Sequence, residues 1–318
     1  MTHEQDDDSQ NVIFGPVPSR RLGMSLGIDV IPMKTCSYDC IYCEIGKTTE
    51  RTLERKSYVD PDAVIRAMER YFAENPETRL DYVTFSGSGE PTLNSDLGRF
   101  IRKAKELTRP PVAVLTNGSL LHDPQVRRDL SEADLVVPSL DAVWQRPFVK
   151  VNQPAPGLEV ETVVAGIEQF AREFGGEIWL EILLVDGVNS DVEHVRALAE
   201  VAGRIAPTRT QLTTVVRPPG TGRAPPVGAE RLRELAAHFT GSIEVVADVQ
   251  RRDNPAYQEE KGERIVAMLK IRPMTVADIS SSTGMHGNEV LKYLDQLRRE
   301  HAVQQSQFEG KEYFSIGR

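Results

Sequence analysis

Ser25-Leu26-Gly27-Ile28-Asp29-Val30-Ile31-Pro32 leads, across Met33-Lys34-Thr35, into Cys36-Ser37-Tyr38-Asp39-Cys40-Ile41-Tyr42-Cys43. The first string is short and largely apolar, and it reads as a buried strand. The second is a loop that holds all 3 cysteines of the chain. An odd number of cysteines so tightly spaced cannot form a disulfide framework; the pattern reads as metal binding in a reducing compartment. A strand that opens into a ligand loop is the way parallel βα architectures present a site, at the C-terminal ends of their strands.

Downstream, the same alternation repeats. Short apolar runs at 82–85, 112–115, 135–138, 178–185, 211–216 and 243–247 alternate with helical stripes. The first stripe is Ala63, Val64, Ala67, Met68 and Tyr71, with Asp60 placed to cap it and Pro61 in the first turn. The second is Leu97, Phe100, Ile101, Ala104 and Leu107. Further helices are expected after Pro124, over 160–174, from Asp191 and over 229–239. Most strands end in polar or glycine-rich residues: Ser86-Gly87-Ser88-Gly89-Glu90, Thr116-Asn117-Gly118, Ser139-Leu140-Asp141 and Asp186-Gly187-Val188-Asn189. Six or seven such units are too few for a closed eightfold barrel. The expectation is an α/β fold with a partial, open parallel barrel of the (β/α)6 type.

The composition changes at 217–226, a Pro/Gly loop that reads either as a lid or as a plain surface connection. From about residue 254 three helical segments follow, over 261–270, 275–282 and 287–300, and then a hairpin over 303–316. Three helices and a hairpin predict a C-terminal winged helix-turn-helix domain. The expected organisation is therefore a disordered acidic tail over 1–12, a core over 13–253 and the winged-helix domain over 254–318.

The spacing C-x3-C-x2-C places three thiolates on one loop, where they can ligate three irons of a [4Fe-4S] cubane. No cysteine remains for the fourth iron. The competing reading is a zinc site, whose fourth ligand would have to be Asp39, Glu44 or a remote histidine such as His122. The arrangement resembles the radical S-adenosylmethionine superfamily over roughly residues 14–250. The string Phe14-Gly15-Pro16-Val17-Pro18-Ser19-Arg20-Arg21-Leu22-Gly23, with Ser25-Leu26-Gly27-Ile28-Asp29, looks like its wyosine-synthase-like branch of iron–sulfur oxidoreductases. The resemblance implies reductive cleavage of S-adenosylmethionine to a 5′-deoxyadenosyl radical, which abstracts hydrogen from a substrate. It also implies an electron donor such as flavodoxin or ferredoxin.

The resemblance extends to further residues. Gly87, Ser88, Gly89 and Glu90 fall where the superfamily contacts the methionine end of the cofactor, and an ordinary strand-to-helix turn is the alternative. Tyr42 is similar to an aromatic that packs near the adenine, or it shields the cluster from water. Asn117, Ser139 and Asp141 end two strands that would face the cofactor, so each either bonds ribose or methionine or caps its own turn. Glu181 lies inside an apolar run, where an acid is costly unless it is paired or bound to ligand. Arg20, Arg21 and Lys34 precede or adjoin the cysteine loop and could meet an anion or stand in solvent.

With 40% hydrophobic and 27% charged residues, the chain has an ordinary globular composition. It has no apolar run of about 18 residues that would span a membrane. The polar start, with Glu4, Asp6, Asp7 and Asp8, is not a secretory signal, and the cytoplasm is the expected compartment. A net charge of −9 withholds the broad positive field that gives non-specific affinity for nucleic acid. The expectation is an enzyme acting on an RNA base, a peptide or a small metabolite. The alternative is an iron–sulfur sensor that regulates transcription through the winged helix.

Overall fold

The computed structural model describes residues 12–19, 21–216, 224–246, 259–271, 273–300, 302–308 and 311–316. Arg20, most of the 217–226 loop and the expected boundary near residue 254 lie outside these residues. So does the acidic tail up to residue 11, but Val12 belongs to the fold: it is buried, and its carbonyl accepts from the Asp29 N–H at 2.7 Å.

The central sheet has eight strands: β1 (Ile13–Ser19), β2 (Gly23–Ile28), β5 (Tyr82–Phe85), β6 (Val112–Thr116), β7 (Leu135–Pro138), β8 (Glu177–Leu184), β9 (Arg209–Thr214) and β10 (Ile243–Val246). They are ordered β1-β2-β5-β6-β7-β8-β9-β10. Every neighbouring pair is parallel except β1 with β2, which is antiparallel and carries a bulge between Phe14 and Val17. The protein is thus an α/β fold on a mostly parallel sheet. The antiparallel β1 is not expected from the sequence, because Gly15, Pro16 and Pro18 argue against a ladder. It sits at the sheet edge, where missing donors are tolerated.

The crossovers are helical: α1 (Pro61–Glu74), α2 (Leu97–Leu107), α3 (Pro124–Leu130), α4 (Gln145–Val151), α5 (Val160–Glu173), α6 (Val192–Ile205) and α7 (Ala229–Ala236). Local chemistry sets their starts. The carboxylates of Asp60, Asp123 and Asp191 accept from the amides of Asp62, Gln125 and His194 at 3.0, 2.7 and 2.9 Å. Each such cap satisfies a first-turn N–H that has no intrahelical partner. In α2 the spacing of Leu97, Phe100, Ile101 and Ala104 turns one stripe onto the sheet, and all four are buried. Replacing Phe100 with alanine leaves a cavity there and is expected to lower unfolding stability by about 3–5 kcal/mol. Urea unfolding followed by far-UV circular dichroism measures it, and a loss under about 1 kcal/mol would mean that the site collapses freely.

The strands alternate faces as parallel strands buried on both sides do. Val136, Ile178, Leu180 and Ile182 point into the main core beneath the helices. Leu135, Val137 and Trp179 point the other way and pack with Leu22 and Ala113 in a second cluster. The sheet curls over that second face. Arg21, in the turn after β1, pairs with Glu181 on β8, although β2, β5, β6 and β7 separate those strands in the sheet.

Two short strands, β3 (Thr35–Cys36) and β4 (Glu50–Arg51), pair in parallel across the cysteine loop. The C-terminal part is α8 (Glu259–Ile271), α9 (Val276–Thr283), α10 (Gly287–Arg299) and the antiparallel hairpin β11 (Val303–Phe308) with β12 (Lys311–Ile316). Thr275 and Asp278 form a reciprocal capping box at the start of α9, and Gly284 ends it in the left-handed conformation, φ 70°. Ile265, Leu269, Ile279, Val290, Leu294 and Phe314 build a separate small core. No helix among the described residues is long and apolar enough to cross a membrane.

Candidate functional site

The cysteine loop leaves β2 and is stitched down at both ends. Thr52 N–H donates to the Cys36 carbonyl at 3.0 Å, and Ile41 N–H donates to the Val151 carbonyl at 3.0 Å. Between them, Cys43 N–H donates to the Cys40 carbonyl at 3.0 Å, and Thr48 N–H donates to Asp39 Oδ1 at 2.7 Å. Tyr38 anchors the loop from below, edge-on to Phe148 with ring centroids 5.5 Å apart.

The three thiols are unpaired and half-buried. Burial, aided by the nearby Glu90 charge, pushes Cys36 up to about 12, and burial also pushes Cys40 and Cys43 upward. Such thiols ionise when a metal takes the proton's place. Weak donors already face two of the sulfurs: Asn117 Nδ2 lies 3.6 Å from Cys36 Sγ, and Asn152 Nδ2 lies 3.5 Å from Cys40 Sγ. N–H donors of this kind favour cluster-bound thiolate. Among the described residues no three His, Cys, Asp or Glu side chains converge on a single ion. Asp39 is committed to Thr48, and His122 Nδ1 lies 3.0 Å from the Ser119 carbonyl oxygen. A zinc shell completed by either has no support here, whereas three loop thiols with N–H donors fit a cubane.

Beside the loop is a cavity of about 380 Å³. Tyr42, Cys43, Gly87, Ser139, Asp141 and Glu181 line it. The structure brings these sequence-predicted residues together and leaves Ser88, Gly89, Glu90 and Asn117 behind its wall. Glu90 is 2% exposed and points into the protein. Its carboxylate accepts from Thr92 N–H (3.1 Å), Thr92 Oγ1 (2.6 Å), Thr116 Oγ1 (2.7 Å) and Asn117 N–H (2.7 Å). Burial raises its pKa and these donors pull it down. Asn117 is likewise engaged, donating to Ser37 Oγ at 2.8 Å and accepting from Ser119 N–H at 3.0 Å. Glu90 and Asn117, expected at the cofactor, here brace two strand ends and Cys36.

The glycines of the turn are explained by close approach. A Cβ on Gly87 would strike the Asp29 carboxylate, and one on Gly89 would overlap the Thr35 carbonyl just before Cys36. Gly89→Ala is therefore expected to cost about 1–3 kcal/mol and to displace the first ligand. Thermal unfolding together with iron content after anaerobic loading reads both, and a variant that melts and loads like the parent would refute the steric argument.

Asp141 is the hub of the site. Its Oδ2 accepts from Tyr42 OH at 2.5 Å and from Asn152 Nδ2 at 2.7 Å; its Oδ1 accepts from Leu183 N–H at 2.9 Å. Asn189 Nδ2 holds its backbone carbonyl at 2.8 Å. Burial pushes the Asp141 carboxyl up to about 6, against the pull of those donors. Glu181, the acid in an apolar strand, has its compensating partner in Arg21. Lys34 holds a left-handed backbone, φ 64°, and its N–H donates to the Ser88 carbonyl at 2.8 Å. Sequence reasoning missed Asn152, which has no local signal. It named Asn189 only as part of a strand-end turn.

The family model described as Radical SAM superfamily matches residues 30–200. A protein of Brachyspira hyodysenteriae named GTPase Obg is 37% identical over 90% of this chain, which spans 42% of that protein. The UPF0026 protein MJ1312 of Methanocaldococcus jannaschii is 31% identical, with 83% of each chain covered. Among solved structures, Streptococcus suis SuiB bound to S-adenosylmethionine superposes with a TM-score of 0.52 at 15% identity, covering 73% of this chain and 52% of that one.

Proposed function

The chain belongs to the radical SAM superfamily, a family of enzymes that use a [4Fe-4S] cluster and S-adenosylmethionine; on that premise we propose that it holds the cluster on Cys36, Cys40 and Cys43 and cleaves the cofactor reductively. The observation that carries the proposal is the loop itself: all three cysteines of the chain on one loop, Cys43 lining the adjoining cavity, and the sulfurs of Cys36 and Cys40 already facing amide donors. When bound, cluster and cofactor supply a 5′-deoxyadenosyl radical for hydrogen abstraction, the hard chemistry that a protein alone lacks.

The chain's own residues bind and orient. Tyr42, fixed by Asp141, Gly87 with its bare backbone, and Ser139 line the cavity where the cofactor would lie. Glu90 and Asn117 act one step back, holding the strand ends and Cys36. Ser88 and Gly89 keep the turn tight against Thr35 and Asp29. Glu181 stands at the cavity wall with its charge balanced by Arg21. An electron donor such as flavodoxin or ferredoxin completes the reaction in the cytoplasm, where unpaired thiols stay reduced.

The same reading takes the curled sheet as a partial (β/α)6 barrel over 13–253 and residues 254–318 as a winged helix-turn-helix domain. Phe14 to Asp29 argues for the wyosine-synthase-like branch. The regulator alternative gains no support. In a winged helix the third helix must be free to enter a groove in DNA, yet α10 packs on β1, and Gly287 lies against Met33. The substrate stands as an RNA base, a peptide or a small metabolite, and the reaction class as oxidoreductase, lyase or transferase.

The experiment is anaerobic loading with iron and sulfide, then addition of dithionite and S-adenosylmethionine. 5′-Deoxyadenosine detected by mass spectrometry is the expected product. A loaded protein that leaves the cofactor intact would overturn the proposal.

A further inference from the structure

Three features lie outside that reading: the far wall of the cavity, the seat of α10 and an unpartnered oxygen on Gln211. From them we infer that this wall is a substrate subsite shared by β9 and α10, and that it takes a small molecule presenting an N–H or O–H donor. The inference rests on the reading above and adds the class of substrate.

The inward face of the curled sheet carries Glu181 on β8 and, directly beside it in register, Gln211 on β9. Gln211 lines the cavity and is fully buried. Its Nε2 donates to Glu244 Oε2 at 2.9 Å. A carboxylate accepts and does not donate, so the amide can be turned only one way. Its Oε1 is therefore an acceptor, and among the described residues it has no partner. Nearly all buried polar atoms are satisfied, and one that is not, in a cavity wall, calls for a donor brought by a ligand.

The cavity is lined by α10 as well. Asn288, Leu291 and Lys292, spaced for one helix face, line it together with the cofactor-facing residues. The helix is fastened there. His286 Nδ1 accepts from the Asn288 N–H at 3.2 Å, so the proton of the neutral ring sits on Nε2, which donates to Asp29 Oδ2 at 2.9 Å. The ring also stacks on Phe14 of β1, centroids 4.6 Å apart. Asp29 Oδ2 in turn accepts from Ser88 N–H at 2.8 Å, so one carboxylate joins the glycine turn to α10. The module that a polymer would need as a docking platform is thus built into the cavity wall. With α10 as part of its wall, a cavity of about 380 Å³ suits a small polar molecule rather than a folded RNA or a protein.

The test uses an extract of the cells that make the protein, divided by dialysis. Each fraction is added to the loaded enzyme with dithionite and S-adenosylmethionine, and 5′-deoxyadenosine formation is compared with and without it. The dialysable fraction is expected to raise formation. Gln211→Leu is expected to lower that stimulation ratio roughly tenfold, the worth of one buried hydrogen bond. Asn288→Ala, on the half-buried helix face, is expected to lower the same ratio and serves if the buried variant does not fold. Stimulation by the retained macromolecules alone, stimulation by neither fraction, or unchanged ratios in both variants would each overturn the inference. Failure of the underlying reading looks different: no 5′-deoxyadenosine from the loaded parent under any condition.

Discussion

Cys40→Ala is expected to abolish iron–sulfur loading and with it the formation of 5′-deoxyadenosine. The chain has 3 cysteines, all in one loop, so no spare thiolate can take the place of the one removed. Two thiolates hold a cubane poorly, and the substitution also removes the sulfur that Asn152 Nδ2 faces at 3.5 Å, leaving that amide its bond to Asp141. The fold should survive, because the loop is tied by backbone bonds to Val151 and Asn152 that the side chain does not touch. Iron and sulfide analysis, the electron paramagnetic signal of the reduced protein and product formation all fall to background, while far-UV circular dichroism is unchanged. A variant with parental iron content and turnover would remove the cluster from this loop.

Asp141→Asn is expected to reduce cofactor cleavage by ~10–100-fold, the usual effect of removing a group that orients a metal site from behind. The amide keeps the shape but replaces one of the two acceptor oxygens with a donor, so Tyr42 OH, Asn152 Nδ2 and Leu183 N–H can no longer all be satisfied. An unsatisfied buried donor costs about 1–3 kcal/mol, and the two side chains that flank Cys40 and Cys43 lose their common anchor. The substitution also carries a pH signature in the cluster-free protein. Burial lifts the Asp141 carboxyl from 3.8 to about 6 in the fold. Between those values the folded chain holds a proton that the unfolded chain has released, so this group's contribution to stability falls as pH rises. Thermal unfolding from pH 4 to 6 should show that downward contribution in the parent and not in the asparagine variant. Parallel profiles, or full turnover by the variant, would reduce Asp141 to an ordinary wall residue.

Much of this was legible in the sequence because it is local. Apolar runs bounded by Gly and polar turns gave seven of the parallel sheet's strands within a few residues, and Asp60, Asp191 and Thr275 announced their helices. Elements set by tertiary contacts were not legible. Strand β1 contradicts its own Pro and Gly content because it needs to pair on one side only. Helix α4 starts after Trp144 with no side-chain cap. In the site, the cysteines were plain from spacing, but the residues behind them come from remote segments. Asn152 reaches Cys40 from 112 positions away. Glu181 left a choice between a partner and a ligand; its partner, Arg21, becomes adjacent only when the sheet curls, and the acid lines the cavity as well. Glu90 was placed by motif at the methionine end of the cofactor, and the motif does not tell that Thr92, Thr116 and Asn117 offer it donors.

The stacking of Phe14 on His286 joins β1 to the start of α10, the last helix among the described residues. Proteins are made from the N-terminus, and their parts fold in that order. The cysteine loop therefore precedes α10 in synthesis, and the cavity gains the wall of Asn288, Leu291 and Lys292 only once α10 has been made.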